Sequence, residues 1–186
     1  MTKAPAKCRI LFHPMPLEPE DLHHLRVAEG YIDLGMFLDA NEELEQIDPD
    51  VRHLPEVLAQ RCRIYGALKK WDLLQVVSRK LVACNPADIQ AWVRLAFATR
   101  RAESLAAAKE ILLEGLKRNP GIDNFHFNLA CYECQLGNLD AAKEHLSQAI
   151  TLDKKWQMRA LEDEDLEPLW AAFAMNVVGY PDIADQ

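Results

Sequence analysis

The chain has 186 residues, 49% of them apolar and 27% charged, which is enough for a packed core and excludes wholesale disorder. Its 21 Lys/Arg against 29 Asp/Glu leave a net charge of −8, a poor match to a general binder of nucleic acid or anionic membrane. Five irregularly spaced cysteines point to a reducing, cytoplasmic setting, and seven glycines in no phosphate-cradling pattern argue against a nucleotide enzyme.

Residues 1–20 hold Pro5, Pro14, Pro16 and Pro19 and are expected to be irregular. Their apolar patch, Ile10-Leu11-Phe12 with Cys8 nearby, is too short for a signal-peptide core. Self-association is an expected option, through this segment or through the irregular second unit described below. No apolar run anywhere reaches the length of a membrane span, so membrane insertion is not expected.

From residue 21 the chain repeats. Pro86 and Pro120 stand 34 residues apart, and Lys154 lies another 34 on. They close similar segments: Cys84-Asn85-Pro86, Arg118-Asn119-Pro120 and Leu152-Asp153-Lys154. That phase divides the chain into units 21–54, 55–88, 89–122 and 123–156. Each unit reads as two helices. In the fourth, Phe127, Leu129, Ala130 and Leu136 precede Gly137-Asn138, and Leu139, Ala142, Leu146, Ala149 and Ile150 then mark one face of a helix. Asn138 is placed to cap that helix. Period-2 alternation is missing from all four units, so strands are not expected.

Small residues recur where two helices must approach. Ala28, Cys62, Ala96 and Ala130 share one place in the first helices, and Ala40, Leu74, Ala108 and Ala142 one place in the second. Leu74 breaks this rule, which predicts local splaying or repacking in the second unit. Residues 157–178 carry Leu161, Leu166, Leu169, Trp170 and Phe173 beside a run of acids, an amphipathic helix suited to covering the last unit. Asp165 is placed to cap it, with Pro168 in its first turn. Residues 179–186 form a tail.

The 34-residue period, carrying Trp92, Leu95, Ala96, Ala108 and Pro120 in one unit and Leu129, Ala130, Gly137, Ala142 and Ala149 in the next, resembles the tetratricopeptide (TPR) repeat, bacterial in type. The first unit is shortened near Asp48-Pro49, and the second is degenerate, with Arg61 at a usually apolar place. The resemblance implies an all-α fold: a right-handed TPR solenoid of about four helix-turn-helix repeats plus a C-terminal capping helix. It also implies a concave groove lined by the first helices, where a protein or peptide binds. Carried over position by position, that groove would present Arg63, Arg94, Phe97, Arg100, Arg101, Asn124, Phe127 and Asn128. Guanidinium forks bind carboxylates bidentately and stack on rings, so this set suits an acidic or C-terminal-carboxylate peptide. Pairing of the arginines with Glu29, Glu56, Glu103 or Glu133 would instead leave a merely solvated face. The carboxylate clamp that some TPR domains use on chaperone tails is not matched, so such tails are not expected ligands.

No catalytic constellation is present: no nucleophile elbow, H-E-x-x-H, kinase or P-loop signature. Cys131-x-x-Cys134 lies mid-helix, without a second ligand pair for zinc and without the helix-start position of a redox pair. A non-enzymatic interaction module, without cofactor or metal, is therefore expected. The alternative is a small acidic secretion-type chaperone that holds apolar client segments in the groove.

Overall fold

The computed structural model describes residues 16–177. Residues 1–15 of the expected irregular segment, the 179–186 tail and the side chain of Phe173 lie outside the described residues. Ten α-helices and one 3₁₀ turn follow one another, with no strand among the described residues. They are α1 (Pro19–Asp33), α2 (Phe37–Leu44), α3 (Pro55–Ala67), α4 (Trp71–Cys84), α5 (Ile89–Ala102), α6 (Leu105–Arg118), α7 (Asp123–Gln135), α8 (Leu139–Leu152), α9 (Lys155–Glu162), the turn Glu164–Leu166, and α10 (Glu167–Val177). Consecutive helices pack as antiparallel hairpins, and each hairpin stacks on the next to give an all-α solenoid.

Local chemistry sets the starts. Pro19 and Pro55 open α1 and α3, where a missing N–H costs nothing. The Asp88 carboxylate accepts from the N–H groups of Gln90 and Ala91 at 2.9 and 3.2 Å, and Ser104 accepts from Ala107 at 3.1 Å. Asn138 departs from the expected cap. It stands at the N-cap of α8, but its Nδ2 donates to Glu133 Oε2 at 2.7 Å and its side chain accepts nothing from the helix.

The close-approach positions are all buried: Ala28, Cys62, Ala96 and Ala130 in the first helices, Ala40, Leu74, Ala108 and Ala142 in the second. Leu74 is buried beside Gly66, where an added Cβ would stand at ordinary contact distance, 3.9 Å from Leu74 Cδ2. Arg61, at a usually apolar place, is satisfied by Glu45 Oε1 at 2.8 Å and the Tyr65 hydroxyl at 3.4 Å. The Arg61 hydrogen bond is the main reason that Glu45 is held below the usual carboxylate range.

Among the described glycines the closest approach is at Gly115 on α6, between the third and fourth units. A Cβ on Gly115 would stand 3.2 Å from Phe125 Cζ and 3.2 Å from Trp92 Cδ2. Both rings are buried, and the Trp92 indole N–H donates to the Pro86 carbonyl at 2.9 Å, so neither can yield cheaply. Gly115→Val is therefore expected to destabilise by about 2–3 kcal/mol, overpacking outweighing any gain in helix propensity. Urea unfolding checks this; a variant as stable as the parent would show that the rings can move.

The C-terminal segment is two helices rather than one. The chain breaks at Asp163, whose backbone is extended and whose carboxylate accepts from the Asp165 N–H at 3.1 Å. It is Asp163 that caps here, and Asp165 sits inside the turn. Leu166 and Leu169 are buried against the last repeat, and the Trp170 indole N–H ties α10 to the Ala160 carbonyl at 2.9 Å. No described helix is long and apolar enough to cross a membrane.

Candidate peptide-binding groove

The four arginines read from the sequence divide into two kinds. Arg63, on α3, donates to Asp33 Oδ1 at 2.6 Å and Gln60 Oε1 at 3.0 Å. Gln60 reaches on to Glu29 at 2.8 Å, so a polar network ties α1 to α3. Arg100, on α5, grips both oxygens of Asp165 at 2.5 and 2.9 Å, with its guanidinium over the Tyr132 ring. These two arginines are paired as the solvated-face reading requires, but with Asp33 and Asp165 rather than with the glutamates expected. Arg94 and Arg101 make no ion pair among the described residues. Arg94 lies against the Cys62 thiol, which burial pushes up.

The rings also divide. Phe97 is 40% exposed and meets Trp71 edge-on, with centroids 5.6 Å apart. Phe127 is only 5% exposed and stacks on Trp156 at 4.3 Å, so it is a core ring and offers no face to a ligand. Asn128 donates to the carbonyl and side-chain oxygens of Asn124, both at 2.8 Å, which turns these two asparagines toward each other.

The structure gathers Arg101 and Phe97 with residues the sequence reading did not single out. An open cavity of about 360 Å³ is lined by Lys69, Lys70, Trp71, Asp72, Leu73, Arg101 and Ala102. The Arg101 guanidinium lies 5.4 Å from the Phe97 ring centre and 6.0 Å from that of Trp71, where the ring faces hold it. Lys69 and Lys70 add two more cations without an ion-pair partner among the described residues. Lys69 has φ 54°, in the left-handed region, where Gly35 and Gly137 stand one and two repeats away. A lysine there carries strain that glycine would not. This exchange of lysine for glycine is visible in the sequence and could have marked the site. The charge is concentrated in the same stretch: residues 55–122 hold twelve Lys/Arg and six Asp/Glu, while residues 16–54 hold two and eleven.

Two other clusters of ionisable side chains involve the fourth unit. Cys131, Asp163 and Asp165 bring ligand-type atoms within 4.8 Å of one another. Arg100 supplies the positive charge beside them, and burial, reinforced by the two carboxylates, pushes the Cys131 thiol far up. His126 and His145 face each other, Nδ1 to Nδ1, at 3.1 Å. Burial lowers both imidazoles below their ordinary 6.5; for His126 the neighbouring ring adds to this, and for His145 Lys109 adds while Glu133 and Glu144 oppose. The unfolded chain thus binds these protons more readily. Their contribution to stability is complete above pH 6.5 and is lost as pH falls below it. The urea midpoint should drop between pH 7.5 and 5.5. A His126→Gln, His145→Gln variant should flatten that drop, and an unchanged drop would assign it to other groups.

No protein-family model matches the chain, and no curated protein matches it by sequence. Solved structures match by shape. "MamA 41-end from Desulfovibrio magneticus RS-1" superposes with a TM-score of 0.66 at 15% identity, over 87% of this chain and 94% of that one. "MamA RS-1 ArsTM double mutant" gives 0.65 at 18%, over 74% and 78%. TTC0263, a thermophilic TPR protein of Thermus thermophilus, gives 0.56 at 20%, over 84% and 90%. The chain has the TPR fold. In a TPR solenoid the first helices of the repeats, here α1, α3, α5 and α7, line the inner face. Arg94, Phe97, Arg100 and Arg101 lie on one of them, and Trp71, at the start of α4, meets Phe97 beside it.

Proposed function

We propose that this TPR protein is a non-enzymatic adaptor that takes an acidic segment of a partner protein at the notch lined by Arg101, Lys69, Lys70 and Trp71, with Phe97 against Trp71 beside it. The observation that carries this reading is the set of three cations without an ion-pair partner among the described residues, gathered around exposed aromatic surface in a chain of net charge −8. Cations left unneutralised in so acidic a chain steer and hold acidic partners. The strain at Lys69 supports it, because a glycine would relieve that strain and remove the charge. Among the described residues Cys62, Cys84, Cys131 and Cys134 are free thiols, which suits work in a reducing compartment such as the cytoplasm.

The test is fluorescence anisotropy on twelve-residue peptides graded in net charge. Acidic peptides should bind, neutral and basic ones should not, and an Arg101→Ala, Lys69→Gly variant should lose the binding. A variant that binds acidic peptides like the parent would overturn the reading.

A second reading, an apolar client held as by a chaperone, draws on a cavity of about 560 Å³ lined by Pro16, Leu17, Leu22, Leu25, Leu54, Pro55 and Glu56. It predicts binding of apolar peptides with little salt dependence, and loss on Leu22→Ser.

A further inference from the structure

One aspartate already sits on the groove arginines. Arg100 donates from both terminal nitrogens to the Asp165 carboxylate, and Gln135 Nε2 donates to the main-chain carbonyl of the same residue at 2.9 Å. A fork on the side chain and an amide on the backbone together read an aspartate in a defined orientation, which a fork alone does not. The donors belong to α5 and α7, the first helices of the third and fourth units. The acceptor comes from the turn that follows α9, 65 residues beyond Arg100. Arg100 and Asp165 keep 26% and 28% of their side-chain surface exposed, so a competing carboxylate can reach the pair. The turn does not depend on that pair for its place, because Leu166 and Leu169 are buried beside it. Arg101, next along α5, opens into the cationic notch.

We propose that Arg100 and Gln135 form an aspartate-binding subsite of the groove. In the isolated chain its occupant is the chain's own Asp165, and a partner's aspartate takes the subsite by displacing that side chain. This inference rests on the acidic-ligand reading above and adds to it a competitor built into the fold. The isolated protein therefore binds acidic segments more weakly than its charges allow. A partner gains full affinity only by presenting an aspartate with a free main-chain carbonyl beside it.

The experiment uses the full chain and a labelled peptide that copies residues 160–171. Asp165→Asn keeps the shape and the main-chain carbonyl but loosens the hold on Arg100. The peptide should bind this variant at least tenfold more tightly than the parent, and adding Arg100→Ala should abolish the gain. Equal or weaker binding by Asp165→Asn would overturn the proposal and leave a structural latch. Loss of acidic-peptide binding in Arg101→Ala, Lys69→Gly would then still uphold the wider reading, so the two fail separately. Thermal melting reports whether Asp165→Asn stays folded. If it does not, the Asp165 amide resonance of the parent decides. It must move as the peptide saturates the protein, and a stationary resonance overturns the proposal.

Discussion

A chain cut after Trp156 is expected to lose most of its stability. The cut removes the buried side chains of Leu166 and Leu169, the Ala160 contact and the Arg100–Asp165 pair. It also uncovers the α7 face that carries Cys131, Tyr132 and Cys134, all buried here, together with Leu146 of α8. Burial of a large apolar side chain contributes about 1.5–3 kcal/mol, and the exposed α7 face adds to the two leucines. The total approaches the ~5 kcal/mol at the lower end of domain stability. A terminal repeat without its cover also presents apolar surface to other molecules, so the truncated chain should associate. Thermal melting and size-exclusion chromatography check both expectations. A monomer melting at the parent temperature would show that α9 and α10 stabilise nothing. Leu166→Ala isolates one fully buried contribution and should cost about 2–5 kcal/mol.

The architecture was legible because repetition multiplies weak signals. A single Ala at a helix crossing says little, but Ala28, Cys62, Ala96 and Ala130 at one register say that four hairpins share a geometry. The deviations were legible only in part. Leu74 stands where the other units carry alanine, yet it is buried as they are, beside Gly66 of another helix, and no local pattern pairs the two. Asn138 had the right chemistry for a cap, but the buried Glu133 carboxylate competed for its amide. The cap broke at Asp163 because an acidic run favours turns that satisfy their own N–H groups, an effect that helical periodicity does not register.

The site was less legible than the fold. Position in the repeat placed Arg94, Phe97, Arg100 and Arg101 on one helix correctly, but not their partners. Phe127 occupies a groove register and is nevertheless buried, because Trp156 of the next helix stacks on it. Arg100 meets a residue 65 positions away, a separation at which sequence spacing carries no information. Lys69 is the exception. Its place at a glycine register of the repeat signals a departure from the fold's own preference, and the structure shows the positive φ there.

Replacing Arg101 and Lys69 is expected to separate binding from folding more sharply than any other change. Arg101 lies on the surface against ring faces, and Lys69 is exposed, so neither supports the core. Lys69→Gly should even stabilise, by about 1 kcal/mol, because glycine takes a positive φ without the penalty of a Cβ. Against an acidic peptide, each well-placed charge-assisted contact contributes about 1.5–3 kcal/mol, and each 1.4 kcal/mol is tenfold in affinity. The pair of substitutions should therefore weaken binding by roughly two to four decades while the melting temperature holds or rises. Binding by the parent should fall with salt, since exposed charges are screened within about 10 Å at 0.1 M. Phe97→Ala should cost less and leave the salt dependence intact, because it removes apolar surface and the ring under Arg101 but no charge. If apolar burial carried the affinity instead, the ranking would invert: Phe97→Ala would be the damaging change, salt would matter little, and the two cations would be dispensable. Measuring the three proteins at two salt concentrations decides between these patterns, because no single distribution of the binding energy satisfies both.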